Sequence, residues 1–360
     1  MKSPALVVVF LFSGMAAAFS QPGENFNVLA YYSRGPEQVD SLPAEKLTHI
    51  IFSFCHLKGN KLTIDNQRDT LTIQKLVGLK QRNSDLKVIL SLGGWGGCKT
   101  CSDVFSSKKA IREFSRSVLE LSRAFKTDGL DLDWEYPAIE GYPGHPYKPE
   151  DKKNFTTLVQ VLRKTLGSRY ELSFAVGGFQ KALEETTDWD PVMKEVDRVN
   201  IMSYDLINGY ATVTGHHTAL YNTPSQKEST HNAVEYLTGI GVPRNKIVIG
   251  AAFYARVWEN VSPEKNGLYQ TGKFKMGIDF RDFETKLSGF NRYWDETAKA
   301  PYAYNPSEKL FATYDDRQSI RIKTRYAIDQ QLDGIMFWEL AHDTHKNGLV
   351  DAIHEVKTSR

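Results

Sequence analysis

Four acidic side chains fall within the eight residues Asp128-Gly129-Leu130-Asp131-Leu132-Asp133-Trp134-Glu135. If this stretch is a strand, its side chains alternate between two faces. Asp131, Asp133 and Glu135 then share one face, and Leu130, Leu132 and Trp134 share the other. Carboxylates this close cannot all ionise once water is removed, so at least one pKa should rise. A carboxyl group held protonated near neutral pH is a general acid in waiting. Two alternatives use the same residues: a solvated acidic surface strand, and a metal site. No His lies within or beside the run to complete a metal shell, and no metal is expected.

The elements around the acidic run indicate how it is positioned. Short apolar runs recur at 26–31, 48–54, 87–91, 129–133, 171–176, 198–203, 246–252 and 334–338. Runs of this kind suit strands buried on both faces. Between them, Ile111, Phe114, Val118, Leu121 and Phe125 repeat at helical spacing, as do Phe155, Leu158, Val159, Leu162 and Leu166 before a capping Gly167. Asp315-Asp316 would start another helix. Eight strands alternating with helices predict an α/β fold, a (β/α)8 TIM barrel. The apolar face of the acidic strand must then meet the helices. The three carboxylates point inward, with Glu135 nearest the C-terminal rim where barrels of this type carry their sites. No Gly-x-Gly-x-x-Gly follows the first strand, which removes the dinucleotide-binding alternative.

The interval between the seventh and eighth runs is far longer than one crossover needs. Within it, residues 258–311 are rich in Tyr, Phe and Lys and read as a small inserted α+β domain forming one wall of a cleft. The formal net charge of +2 gives no reason to expect nucleic acid or an anionic membrane as partner. Lys2, the apolar run from Ala5 to Phe12, and small residues at Ala18 and Ser20 read as a signal peptide over residues 1–20, cleaved before Gln21. That leaves residues 21–360 as the catalytic barrel of an exported chain with no membrane span, expected to be monomeric. Cys98 and Cys101 lie beside the Gly-rich turn Gly93-Gly94-Trp95-Gly96-Gly97, where a local disulfide or free thiols fit better than a metal site. Cys55, inside an apolar run, reads as a buried thiol.

The spacing Asp128-x-x-Asp131-x-Asp133-x-Glu135 resembles the signature of glycoside hydrolase family 18, the chitinase family. Ser91-Leu92-Gly93-Gly94 is similar to that family's Ser-x-Gly-Gly, and Met202-Ser203-Tyr204-Asp205 to its Met-x-Tyr-Asp. Tyr254-Ala255-Arg256-Val257-Trp258 resembles a Tyr-Gly-Arg-x-Trp segment, with Ala255 where Gly is usual. Trp338 stands where the family places a tryptophan at the floor of the substrate site, and the insertion resembles that of the deep-cleft subfamily. Gly177-Gly178 and the Cys98–Cys101 loop depart from the family pattern.

The resemblance implies hydrolysis of β-1,4 linkages in chitin or chito-oligosaccharides without any cofactor. Glu135 would be the proton donor, with Asp133, Asp131 and Tyr204 assisting and Asp131 sharing a proton with Asp133. Asp205, Arg256, Tyr254, Met202 and Tyr136 would meet sugar, while Trp338 and Trp95 would stack on it and Trp134 would pack in the core. Trp258 and Trp294 are weaker stacking candidates. Asp128, Ser91, Gly93 and Gly94 would be structural members of the motifs. Substrate assistance by the acetamido group is an exception to the two-carboxylate rule for glycosidases. Two rivals share the barrel: an endo-β-N-acetylglucosaminidase acting on N-glycans, and a chitin-binding lectin, which would typically have lost the acid.

Overall fold

The computed structural model describes residues 26–359, so the signal-peptide expectation lies outside the described residues. In chain order the strands are β1 (Asn27–Tyr32), β2 (His49–Lys58), β3 (Lys61–Thr63), β4 (Lys87–Gly93), β5 (Gly129–Asp133), β6 (Glu171–Gly177) and β7 (Arg198–Met202). They continue as β8 (Ile247–Ala252), β9 (Tyr254–Glu259), β10 (Lys273–Asp279), β11 (Asn291–Asp295), β12 (Ala300–Asn305), β13 (Leu310–Thr313) and β14 (Gly334–Trp338). The pairing order β1-β14-β8-β7-β6-β5-β4-β2, closed by β1 against β2, makes an eight-stranded parallel barrel. All eight predicted runs fall on its strands. β2 extends past the predicted end because its last residues, His56 to Lys58, pair with β3 in a hairpin.

Burial follows the alternation of the strands. Leu29, Tyr31, Ile51, Ile89, Ala175, Met202, Val248 and Met336 fill the barrel interior. Val28, Ala30, Ile50, Val88, Leu130 and Leu132 pack outward against the helices in a second, larger core. The helix Lys108–Phe125 buries Ile111, Phe114 and Val118 against that core. The helix Asp151–Leu166 buries all five predicted positions and ends at Gly167, whose φ of 67° lies in the left-handed region that glycine adopts without penalty. Asp316 caps the helix Arg317–Asp329 by accepting the Ser319 N–H at 2.8 Å.

A second, antiparallel sheet of order β10-β9-β13-β12-β11 runs from Tyr254 to Thr313. It has apolar clusters of its own, one around Val257, Ile278 and Ala312 and another around Trp258, Tyr304 and Phe311. No helix among the described residues is long and apolar enough to cross a membrane.

Candidate active site

Asp131, midway along β5, lies fully buried at one level of the barrel. One of its oxygens accepts from Tyr31 Oη at 3.1 Å and Ser91 Oγ at 3.0 Å. The other accepts from Ser173 Oγ at 2.7 Å and Asn200 Nδ2 at 3.1 Å. These donors come from β1, β4, β6 and β7, so the barrel converges on this carboxylate. Burial raises its pKa, and the four hydrogen bonds oppose that rise. Both oxygens are occupied, and among the described residues no hydrogen bond joins Asp131 to Asp133.

Asp133 ends the strand one level higher. It is 4% exposed, and its Oδ1 has no hydrogen-bond partner among the described residues. Burial raises its pKa well above the usual range, and the charges of Glu135 and Asp131 push it further. Its backbone carbonyl accepts the Gly94 N–H at 2.9 Å. A Cβ on Gly93 would sit 2.2 Å from that carbonyl, so only glycine allows this approach. Glu135 follows beyond the strand end, partly exposed at the rim. Burial pushes its carboxyl up to about 7; a hydrogen bond with Tyr136 opposes the rise and the Asp205 charge adds to it. The group is therefore about half protonated near neutral pH, where an ordinary carboxyl would be ionised, and the protonated fraction can act as an acid.

The other predicted residues divide into three groups. Tyr204 and Met202 line the barrel interior, and the Tyr204 hydroxyl has a weak acceptor, Met336 Sδ at 3.7 Å. Trp338 ends β14 with its ring stacked 5.6 Å from Phe54 and tilted 6.0 Å from Tyr31. Tyr136 packs edge-on against Phe179. These surround the acids. A second group is turned on itself: Arg256 makes two hydrogen bonds to the Asp205 carboxylate, which also accepts from Tyr254 Oη at 2.8 Å. Burial would raise the Asp205 pKa, but Arg256 and the nearby His217 hold it well below the usual carboxylate range. The third group lies apart. Asp128 accepts from Lys80 Nζ at 2.6 Å and from the Val88 N–H at 2.7 Å, tying β5 to β4 at their N-terminal ends.

Trp134 points outward into the core against Phe105 and Phe155. Trp258 is buried in the second sheet and presents no ring to a ligand. Cys98 and Cys101 are joined in a disulfide, and Cys55 is a buried free thiol. His216 reaches Asp295 at 3.0 Å, an ordinary loop contact.

Sequence reasoning missed Tyr31, Ser173 and Asn200, the donors to Asp131; inward parity on β1, β6 and β7 is the signal that would have found them. It also missed Phe54 beneath Trp338. Three peptide bonds at the barrel mouth are cis, Ser53-Phe54, Glu135-Tyr136 and Trp338-Glu339, and none precedes a proline that would signal it.

A closed parallel barrel with an inward acidic strand and a carboxyl of raised pKa at its C-terminal rim belongs to the (β/α)8 proteins that carry their site at that face. Residues 27–343 match the family described as Glycosyl hydrolases family 18, and the chain belongs to it. It is 36% identical over 301 residues to chitinase A1 of Niallia circulans, covering 76% of this chain and 43% of that protein. To chitotriosidase-1 of Mus musculus it is 29% identical over 83% of this chain and 68% of the relative. A family 18 N-acetylglucosaminidase from Paenibacillus barengoltzii superposes with a TM-score of 0.83 at 35% identity, over 92% of this chain and 99% of that one. The chain thus spans less than half of the first relative's length.

Proposed function

We propose that this chain is a secreted, retaining chitinase that hydrolyses β-1,4 bonds between N-acetylglucosamine units by substrate-assisted catalysis. The observation that carries the proposal is the Glu135 carboxyl, pushed up to about 7 at the rim above two further buried acids. Glu135 gives its proton to the glycosidic oxygen as the bond to the anomeric carbon breaks. The acetamido carbonyl oxygen of the same sugar closes on that carbon, forming an oxazolinium ion. Asp133, whose Oδ1 has no partner among the described residues, accepts the acetamido N–H and holds the group in place for attack. Tyr204 donates its hydroxyl to the acetamido carbonyl and aligns it for attack. Water then opens the ring from the opposite face, returns a proton to Glu135 and leaves the anomeric configuration retained.

Asp131, with both oxygens anchored, positions Asp133 rather than touching sugar. Asp205, Arg256, Tyr254, Met202 and Tyr136 line the groove, and Trp338 and Trp95 offer ring faces to the chain. On this reading residues 1–20 are a signal peptide, residues 21–360 are the catalytic unit, and the protein acts as a monomer. Residues 258–311 are an inserted domain walling a deep cleft, and the second sheet begins a little before those bounds, at Tyr254, and ends a little after them, at Thr313.

The test is hydrolysis of chito-oligosaccharides by wild type and Glu135→Gln. Wild type should release N-acetylated products with the β-anomer formed first, and the variant should lose about 10²–10⁴ in kcat. Oligosaccharide binding without hydrolysis by wild type would turn the assignment to a lectin.

A further inference from the structure

Three exposed aromatic rings meet above the barrel, and their strand of origin gives the contact its meaning. Trp95 follows β4, Tyr142 lies in the loop after β5, and Tyr210 in the loop after β7. Their exposures are 48%, 38% and 64%, high for large rings. Trp95 nevertheless contacts Tyr142 edge-on at 5.6 Å and Tyr210 at 6.4 Å between centroids. In the barrel order β4 and β7 are separated by β5 and β6. A contact between loops leaving those two strands cannot follow the rim between neighbours. The straight line between those two strand ends is a chord across the mouth, passing inside the ends of β5 and β6, and Glu135 lies just past the end of β5.

The two feet of this chord are held by different parts of the molecule. On the Trp95 side, the turn is closed by Gly97 N–H to the Gly94 carbonyl at 2.8 Å and by the Cys98–Cys101 bond. Gly96, at φ 89°, brings the backbone so close to Tyr142 that a Cβ would lie 3.2 Å from its ring. On the Tyr210 side, Asn208 Oδ1 accepts the Tyr210 N–H at 2.9 Å, and the Ala211 carbonyl accepts from the Trp258 indole on β9 at 2.9 Å. A Cβ on Gly209 would lie 3.3 Å from Phe274 of β10. One foot therefore stands on the barrel and the other on the second sheet.

We propose that Trp95, Tyr142 and Tyr210 form an arch over the acidic site, so that a sugar chain enters by its end beneath the rings rather than by lying down sideways. This rests on the chitinase reading and adds to it a preference for chain ends. A simple stacking platform would use the same rings without closing the mouth, and kinetics separate the two. A platform only holds the chain, so losing a ring speeds release. An arch also obstructs entry, so losing a ring speeds arrival.

The experiment compares Glu135→Gln with Glu135→Gln/Tyr210→Ala by stopped-flow tryptophan fluorescence, using N-acetylchitohexaose as probe. The arch predicts that Tyr210→Ala raises the association rate about three- to tenfold, the factor that one aromatic contact is worth. An unchanged or slower association with faster dissociation overturns it in favour of the platform. In the otherwise wild-type enzyme, Tyr210→Ala should raise the loss of viscosity of glycol chitin relative to the reducing ends released; an unchanged ratio counts against the arch. Faster association in a protein that never hydrolyses would leave the arch standing and sink the chitinase reading. No binding by either protein sinks both.

Discussion

The barrel buries carboxylates at both ends, and the two ends treat them oppositely. At the N-terminal floor, Glu171 at the start of β6 meets His49 at 2.9 Å, Lys87, and Arg198 at 2.5 Å. Arg198 also donates to Asp333 at 2.8 Å, which in turn accepts from Asn27 at 3.0 Å. Burial would raise the Glu171 pKa, but His49 and Arg198 hold it well below the usual range. At the mouth, burial raises Asp131, Asp133 and Glu135 alike. Among the described residues no Lys or Arg pairs with any of those three. A buried carboxylate with a cation is a fixed charge that sets geometry; one without a cation keeps a proton that it can deliver. The difference between a structural acid and a reactive one lies in what surrounds the group, since both ends use the same side-chain chemistry and it is the cation that is present at one and absent at the other.

The largest effect that would break this comparison is on turnover. Glu135→Gln and Glu171→Gln are the same substitution at opposite ends of the barrel. The first should lower kcat on chito-oligosaccharides by about 10²–10⁴, while the second should leave kcat within about threefold in the folded protein. A comparable loss of kcat in both, with both folded, would mean that the floor cluster is catalytic too. Next in size is an effect on stability. Arg198→Met leaves Glu171 and Asp333 buried beside a neutral side chain and should cost about 3–5 kcal/mol in urea unfolding, the usual penalty for removing one partner of a buried pair. A loss below about 1 kcal/mol would place the floor with ordinary surface pairs.

Much of this contrast was legible in the sequence at the mouth and almost none at the floor. The acidic run could be read because three like charges alternate with apolar residues within one strand, a local pattern that parity converts directly into geometry. The eight strands and the principal helices were legible for the same reason. Asp205 and Arg256 were found by motif, but their mutual pairing was not, because the 51-residue separation between them carries no local signal. The floor cluster is assembled from six separate strand starts or the residues just before them, at positions 27, 49, 87, 171, 198 and 333, and each alone is an ordinary polar residue beginning a strand. Trp258 shows the opposite failure: a motif match drew attention to a ring that packing had already claimed.

The smallest effect sharpens the comparison most, because its sign differs between the two ends. Glu135 has a folded pKa of about 7, above its unfolded value, so the folded state binds the proton more tightly than the unfolded one. The stability that this proton contributes is fully present below about pH 4.5 and is lost as pH rises through about 7. Glu135→Gln carries no titrating group there, so its stability should gain on wild type between pH 5 and pH 8 by an amount on the order of 1–3 kcal/mol, seen as a relative rise in melting temperature. Catalysis should fall over the same rise in pH, since the proton lost is the one delivered to the leaving group. For Glu171 the folded pKa is depressed, so its contribution is present above the unfolded carboxylate value and is lost only as pH falls beneath it. Glu171→Gln should therefore be less stable than wild type at pH 7 and should close the gap in acid. Melting curves of the two variants against wild type from pH 3 to pH 8 test both signs together. If the Glu135→Gln difference stays flat across that range, the carboxyl is not raised, and the mouth would hold an ordinary ionised acid that could not serve as proton donor at neutral pH.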